Sequence, residues 1–447
     1  MKSQSRDAAS PEERLEHRAK GVGYATIARI NPVEINSLSL PFLLKIIVLT
    51  IFLPVELSFY AFGLRLTLTR LILLSIVPLL LFKFFRRVST GRYRFVLADL
   101  FFPVTGLWLI YAPSNVSGLL DGLNHAGPEV LEFCAAFMST RVLLRNHGDA
   151  FRFANLLSRV IAVVAVIGLI DSLTGTYFTH NLSRQLSGYV GSNINDWTDA
   201  YRLGLLRAAG PIEHPILFSL ICSVGLIIAV SAPISFRKLV TAACLLGIVF
   251  SFSSAPVQCA ALGICLIIYG RLMAGISFRW LALIATLTAG VALAFMVSSS
   301  PLGFIISHLI YDAASGYYRY WTWERTIFYV SQSPWFGLGY SVPPDDINHS
   351  IDSLWLVLSI HAGVPGAVFT FLALVGSASL PTSGRNVKLS ENESKLGTAL
   401  GIVIFIIIYI AFTVHIWGSA WVLAGLLAGA RAHLGELGRL SARPEIG

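Results

Sequence analysis

Charge is what this chain of 447 residues has least of. Asp, Glu, Lys and Arg make up 13% of it, about half the ~25% usual in soluble domains. With 55% hydrophobic residues and a mean hydropathy of +0.71, that shortage excludes a soluble or disordered chain and points to a polytopic membrane protein. Cysteine is scarce too. Cys134, Cys222, Cys244, Cys259 and Cys265 all fall in apolar segments and form no CxxC pair, which argues against a disulfide framework or a zinc site. There is no GxxxxGK[ST] loop, hence no ATP-driven step of the chain's own. Neither HExxH, nor an outer DxD pair for a divalent ion, nor a GxSxG elbow is present. No basic n-region, short apolar core and small-residue cleavage site open the sequence, so no cleaved signal peptide is expected.

What is present is a succession of long apolar runs. A spanning helix needs about 20 mostly apolar residues, and such runs lie near 40–58, 66–83, 95–112, 129–145, 154–173, 215–232, 238–253, 256–271, 279–297, 351–377, 397–414 and 417–433. The expected fold is therefore all-α, with about twelve transmembrane helices. The polar, basic residues 1–37 form a cytoplasmic tail, 38–433 the transmembrane domain, and 434–447 a second cytoplasmic tail.

The net charge of +9 does not imply nucleic acid, because the basic residues are spread over short loops with no aromatic-interleaved stripe. Lys83, Arg86, Arg87, Arg92 and Arg94 follow the second span, and Arg141, Arg145 and Arg152 flank the loop after the fourth. Later clusters follow the sixth, eighth and tenth spans and the last. All fall on one side if the tail is cytoplasmic, so the positive-inside rule puts both termini inside. Two long connections, 174–214 and 298–350, then lie outside, and loops of that length are usually functional. The second carries YYRYWTWERTIFYVSQSPWFGLGY (317–340), whose rings suit a helix lying in the membrane interface.

Three cationic positions gather on the outer side: Arg207, Arg319 and His349. Each is open to two readings. Arg207 either snorkels or grips an anion, since the guanidinium fork matches phosphate oxygens. Arg319 is either a cation–π or headgroup anchor, or a ligand. His349 is either a polar helix start or a base that takes a proton from a hydroxyl. Asp352, at i+3 from His349, either orients the imidazole or complements the helix dipole. Glu213 is a candidate partner for Arg207, His214 shapes the entry of the sixth span before Pro215, and Arg325 is a supporting candidate. His361 reads as a packing residue. Adjacent Asp345 and Asp346 make a weak cation site. Glu129 and Glu132 with Asp171 would suit proton-coupled transport of a lipid-linked oligosaccharide or small anion, although first-turn acids are commonplace and no inverted repeat is evident.

Four features resemble the superfamily of O-antigen ligases and of O-antigen and exopolysaccharide polymerases of the bacterial envelope. RAAGPIEHPILFSL (207–220) has an Arg-x-x-Gly and a His-Pro leading into a helix. YYRYWTWERTIFYVSQSPWFGLGY pairs an Arg and an aromatic helix with a Pro-x-x-Gly-x-Gly turn. INHSIDSLWLVLSIHAGVPGA (347–367) has a His, an apolar helix and a Gly-x-x-Gly. The polytopic layout with a large late outer loop, between the ninth and tenth spans, is the fourth.

The likeness covers roughly 40–433. It implies a GT-C-like, metal-independent inverting glycosyltransferase of the inner membrane, without a cofactor, whose active site faces the periplasm. The donor would be a glycan on undecaprenyl diphosphate. The acceptor would be another repeat unit for a polymerase, or lipid A–core for a ligase. Membrane lipids and a chain-length regulator are the remaining partners it implies. By the same likeness Arg207 and Arg319 would hold the diphosphate, and His349 would be the catalytic base. SFSSAPVQ (251–258) lacks an Arg that members often carry, and Ser350 stands where Asn is frequent. An Ile-Asp-Ser-Leu-Trp-like tenth span leans towards a polymerase.

Overall fold

The computed structural model describes residues 40–61, 64–189, 191, 194, 200–276, 278–297, 313–340, 351–382 and 389–440. The chain divides into Met1–Leu40 and Pro41–Gly447, and every element below belongs to the second part. His349, Asp345, Asp346, the tail 1–37 and residues 441–447 lie outside the described residues.

In chain order the helices are α1 (Phe42–Thr50), α2 (Leu68–Ser89), α3 (Leu97–Ser117) and α4 (Leu119–Val130). A π-helical turn, Leu131–Ala135, joins α4 to α5 (Ala136–Leu143). Then come α6 (His147–Thr174), α7 (Phe178–Ser187), α8 (Pro215–Ser231), α9 (Arg237–Phe250) and α10 (Ser254–Leu272). The last are α11 (Arg279–Val297), α12 (Ala313–Gln332), α13 (Leu354–Ala378), α14 (Glu391–Ile410) and α15 (Gly418–Leu440). Two antiparallel hairpins are inserted: β1 (Ser58–Ala61) with β2 (Leu64–Thr67), and β3 (Tyr201–Arg202) with β4 (Leu205–Leu206).

The chain is thus a mostly helical membrane protein. Among the described residues six helices, α2, α3, α6, α10, α13 and α14, are long and apolar enough to cross a membrane, and α8 and residues 279–293 are shorter apolar helices. Each expected span contains or overlaps a helix, but the first departs from expectation. Instead of continuing to residue 58, α1 stops at Thr50 because Pro54 has no N–H for the Thr50 carbonyl. That carbonyl accepts from Leu53 N–H at 3.1 Å and Thr69 Oγ1 at 2.8 Å. The chain then turns through the β1–β2 hairpin. The fourth helix begins ten residues early, at Leu119, and the outer connection 174–214 holds α7 and the second hairpin rather than bare loop.

Helices that are apolar all round belong in a core. α8 is buried almost throughout, and so is α15 up to Glu436. α8 packs on α6, α9, α10 and α14, while α15 packs on α5 and α14. α15 comes close to α5 because Gly425 and Gly429 face the Phe133 and Phe137 carbonyls, where a Cβ would not fit. This is the small-xxx-small device of membrane helices. α11 is instead largely exposed, as a helix facing lipid would be.

At one end of the bundle the loop cations meet. Arg141 is fully buried, pairs with Asp99 at 2.9 Å and with Glu436, and donates to the Arg94 carbonyl at 2.9 Å. Arg87 donates to the Leu144 carbonyl at 3.0 Å. Residues that the charge pattern assigns to one side therefore share one cluster.

The expected aromatic helix is α12. Thr322, Thr326 and Tyr329 form its buried stripe at helical spacing, while Tyr317, Tyr320, Trp321 and Phe328 remain exposed. The following SPWFGLGY turn seats on a kink in α13. There Pro365 has no N–H, Ala362 and Gly363 leave helical geometry, and Gly363 takes φ +72°. The broken ladder is repaired from outside the helix. The Ile360 carbonyl accepts from Leu338 N–H at 2.6 Å, Val364 N–H donates to the Pro334 carbonyl at 2.8 Å, and the Trp108 indole donates to the Ala362 carbonyl at 2.8 Å. Gly363 faces the Trp335 carbonyl so closely that any Cβ would collide with it.

Candidate functional site

A cavity of about 300 Å³ is formed by segments far apart in sequence. The turn after α1 brings Glu56, the β1–β2 hairpin Arg65, and the first turn of α2 Arg70. The region around the π turn contributes Glu129 and Glu132, and the 174–214 connection contributes His180, Tyr189 and Glu213. The start of α13 and the 415–422 segment close it, with Leu354, His415 and Trp417 among the lining residues. Loop charge assigns all these segments to the outer side.

The polar groups are held by local structure. A π turn adds a residue to the helical repeat and re-aims the side chains on it. Here it carries Glu132, whose Oε1 accepts from Arg70 Nε at 2.7 Å. Arg70 also donates to the Arg65 carbonyl at 2.9 Å. Arg65 is fixed by Ser58 Oγ at 3.0 Å and the Val55 carbonyl at 2.6 Å, with Tyr189 stacked 4.4 Å from its guanidinium carbon. Glu129 Oε2 accepts from Tyr340 Oη at 3.3 Å, which links the cavity to the end of the SPWFGLGY turn.

Glu56 and His180 form a buried pair, Nδ1 to Oε1 at 2.8 Å, and His180 Nε2 lies 3.2 Å from the Ile212 carbonyl. Both ring nitrogens face acceptors, an arrangement that favours the protonated imidazolium over the neutral ring. Its pKa lies above the ordinary 6.5: burial opposes the charge, but the Glu56 hydrogen bond and charge, with Glu213 and Asp171 nearby, outweigh it. Glu56 is correspondingly lowered. Burial would raise it, yet the His180 bond, the His180 charge and Arg65 prevail.

Glu213 Oε1 accepts from the Ser419 N–H and hydroxyl, both at 3.1 Å. Burial pushes its pKa up despite those bonds. The second oxygens of Glu56 and Glu213 are buried and have no hydrogen-bond partner among the described residues. Trp417 stands between His214 and His415, at centroid distances of 5.9 and 5.3 Å. Burial lowers His415 to about 4, so it is neutral at ordinary pH.

Of the residues expected from the sequence to form the site, Glu213 lines the cavity. His214 is adjacent and caps α8, its Nδ1 accepting from Ile216 N–H at 3.0 Å. Burial, with the charges of Arg207 and Arg202, lowers His214 to about 3. Arg207 is buried and does not line the cavity. Its Nε donates to the Ser251 carbonyl at 3.0 Å, and its own carbonyl accepts from Tyr177 Oη at 3.1 Å. The expected partnership of Glu213 with Arg207 is not among these bonds, since the Glu213 contacts go to Ser419. Arg319 and Arg325 lie on α12, the former half-buried and the latter exposed. Asp352 stands close enough to Tyr318, next to Arg319, for its charge to raise the phenol's pKa. None of these contacts joins the Arg207 and Arg319 guanidiniums. Among the described residues no three His, Cys, Asp or Glu side chains group as metal ligands would.

Glu56, Arg65, Arg70 and His180 were not expected. Each stands alone in sequence, and the only available signal is a single charged residue in a segment that loop charge places outside.

No family model matches the chain, and none of the curated proteins matches it.

Proposed function

We propose that the chain is an inverting glycosyltransferase of the bacterial inner membrane, which moves a glycan from undecaprenyl diphosphate onto a sugar hydroxyl at the periplasmic face. Polymerisation of O-antigen or exopolysaccharide repeat units is the preferred form of the reaction. The observation that carries the reading is the cavity: five chain regions assigned to the outer side by loop charge converge on it. A GT-C-like bundle of about twelve spans with both termini cytoplasmic belongs to the same proposal, with the helices at all twelve expected positions in its support.

The chemistry follows from what is available outside a membrane. No nucleotide is at hand there, so the bond from the glycan to the lipid diphosphate supplies the driving force. His349, in the role its resemblance implies, takes the proton of the acceptor hydroxyl. The oxygen attacks the anomeric carbon from the face opposite the diphosphate, the bond to the phosphate oxygen breaks, and undecaprenyl diphosphate leaves with inversion. Arg207 and Arg319 would balance the charge that grows on the leaving group. Holding donor and acceptor side by side supplies much of the remaining acceleration.

Deletion of the gene tests the polymerase form. Single repeat units on the surface glycolipid are expected. Long polymer retained on its lipid carrier would instead identify a ligase transferring to lipid A–core, and an unchanged glycan profile would contradict both.

A further inference from the structure

The charge and hydrogen-bond balance of the cavity decide what it can hold. Three cations, Arg65, Arg70 and His180, face four carboxylates, Glu56, Glu129, Glu132 and Glu213. The cations are already engaged: Arg70 with Glu132, Arg65 with Ser58 and the Val55 carbonyl, and His180 with Glu56 and the Ile212 carbonyl. A diphosphate entering here would meet four acidic side chains against three cations, and would have to share Arg70 with Glu132 and His180 with Glu56. It would pay desolvation without recovering it.

Acceptor capacity, by contrast, is left over. Glu56 is 3% exposed, and its buried Oε2 has no partner among the described residues; nor does the buried Oε2 of Glu213. Buried polar atoms are rarely left so, and both belong to residues that line the cavity. Two carboxylate oxygens call for O–H or N–H donors. Trp417 adds an aromatic face to the same wall, in T-shaped contact with His214. Carboxylates that take hydroxyls, beside a ring that covers apolar C–H, are the chemistry of carbohydrate recognition. The volume of about 300 Å³ is at the small end of ligand pockets, which suits one sugar ring rather than a chain.

We propose that this cavity binds the terminal neutral sugar of the acceptor glycan, with Glu56 and Glu213 accepting its hydroxyls and Trp417 covering its face. The inference rests on the glycosyl-transfer reading and separates the acceptor subsite from the place where the donor diphosphate binds. Arg70 and His180 act as positioning residues, through Glu132 and Glu56.

The test uses the full-length protein in nanodiscs and follows intrinsic fluorescence, since Trp417 and Trp421 both line the cavity. The probes are glucose, galactose, mannose and their N-acetylated 2-amino forms, with inorganic pyrophosphate as the anionic contrast. At least one sugar is expected to give a saturable change that pyrophosphate does not compete away. Glu56→Gln and Glu213→Gln should each weaken it about tenfold or more, the worth of one hydrogen bond to a charged group. Trp417→Ala should remove the signal and most of the sugar binding followed by radioligand, whereas Trp417→Phe, which keeps a ring, should weaken binding less. Thermal unfolding of each variant checks that it is folded.

Saturation by no sugar up to its solubility overturns the inference. So does pyrophosphate competition that Arg65→Gln abolishes, because the cavity would then be an anion site. Transfer activity in the same preparation without sugar binding would sink the acceptor subsite alone. Sugar binding without transfer from a lipid-linked donor would instead sink the glycosyl-transfer reading.

Discussion

Arg70 Nε and Glu132 Oε1 are 2.7 Å apart, although 62 residues separate them in sequence. The pair joins the outer end of α2 to the π turn and so shapes one wall of the cavity. Its side chains are 21% and 7% exposed. Removing one partner strands a largely buried charge, which costs far more than the pair is worth as a whole. Arg70→Met is therefore expected to cost about 3 kcal/mol, and Arg70→Met with Glu132→Leu to recover most of the loss. A double-mutant cycle on thermal unfolding in detergent checks this, and additive losses would show that the pair is not coupled.

Gly363 is the joint between two motifs distant in sequence. Its positive φ and its approach to the Trp335 carbonyl both forbid a side chain. Gly363→Ala should unseat the 333–340 turn and lower stability by about 2 kcal/mol or more. Trp108→Phe, which loses the indole bond to the Ala362 carbonyl and part of the ring contact with Phe336 but keeps an aromatic there, should cost less, about 1 kcal/mol. Thermal melts of the two variants check the order, and protease cleavage after Trp335 or Phe336 should rise in the glycine variant alone.

The Glu56–His180 pair makes stability depend on pH in a defined direction. His180 titrates above its ordinary 6.5 when folded. Its contribution is complete below that value and is lost as pH rises through the raised one. Glu56 titrates below its ordinary 4.5, so its share is complete above that value and is lost as pH falls through the lowered one. As pH rises above 6.5 the native melting temperature should fall more steeply than that of His180→Asn. Parallel profiles would show that the imidazole carries no extra proton in the folded state.

His214 behaves in the opposite sense. Folded, it stays neutral down to about 3 against an ordinary 6.5, so the unfolded chain binds the extra proton in that window and stability drops as pH falls through it. His214→Asn keeps an α8 cap without titrating, and its acid limb should be shallower. His214→Ala should lose about 1 kcal/mol with the cap. Melting curves from about pH 4 to about pH 7 distinguish the two.

Much of the bundle was legible in the sequence because apolar runs of spanning length admit few other structures. Arg87, Arg94 and Arg141 were likewise legible as a group, since loop charge sorts them to one side. The early end of α1 was not, even with Pro54 in view: hydropathy runs on through residues whose backbone cannot remain helical. The cavity was legible only in fragments. Glu129, Glu132 and Glu213 attracted notice as acids near apolar runs. Arg70 and His180 did not, because their partners Glu132 and Glu56 lie 62 and 124 residues away and no local spacing encodes such a pair. Arg207 stood out, yet its Nε is bonded to the Ser251 carbonyl, in the SFSSAPVQ stretch (251–258), a partner 44 residues away that no local spacing announces.

Transfer of a glycan from a lipid diphosphate by this chain alone can be measured in a purified system. The most direct measurement supplies the protein, reconstituted in proteoliposomes, with a defined repeat unit on undecaprenyl diphosphate and no nucleotide. Lipid-linked products of two and more repeats, with one free undecaprenyl diphosphate released per bond formed, are predicted, and His349→Ala should abolish both while the donor still binds. Donor recovered unchanged, or moved across the bilayer without release of undecaprenyl diphosphate, would contradict the account.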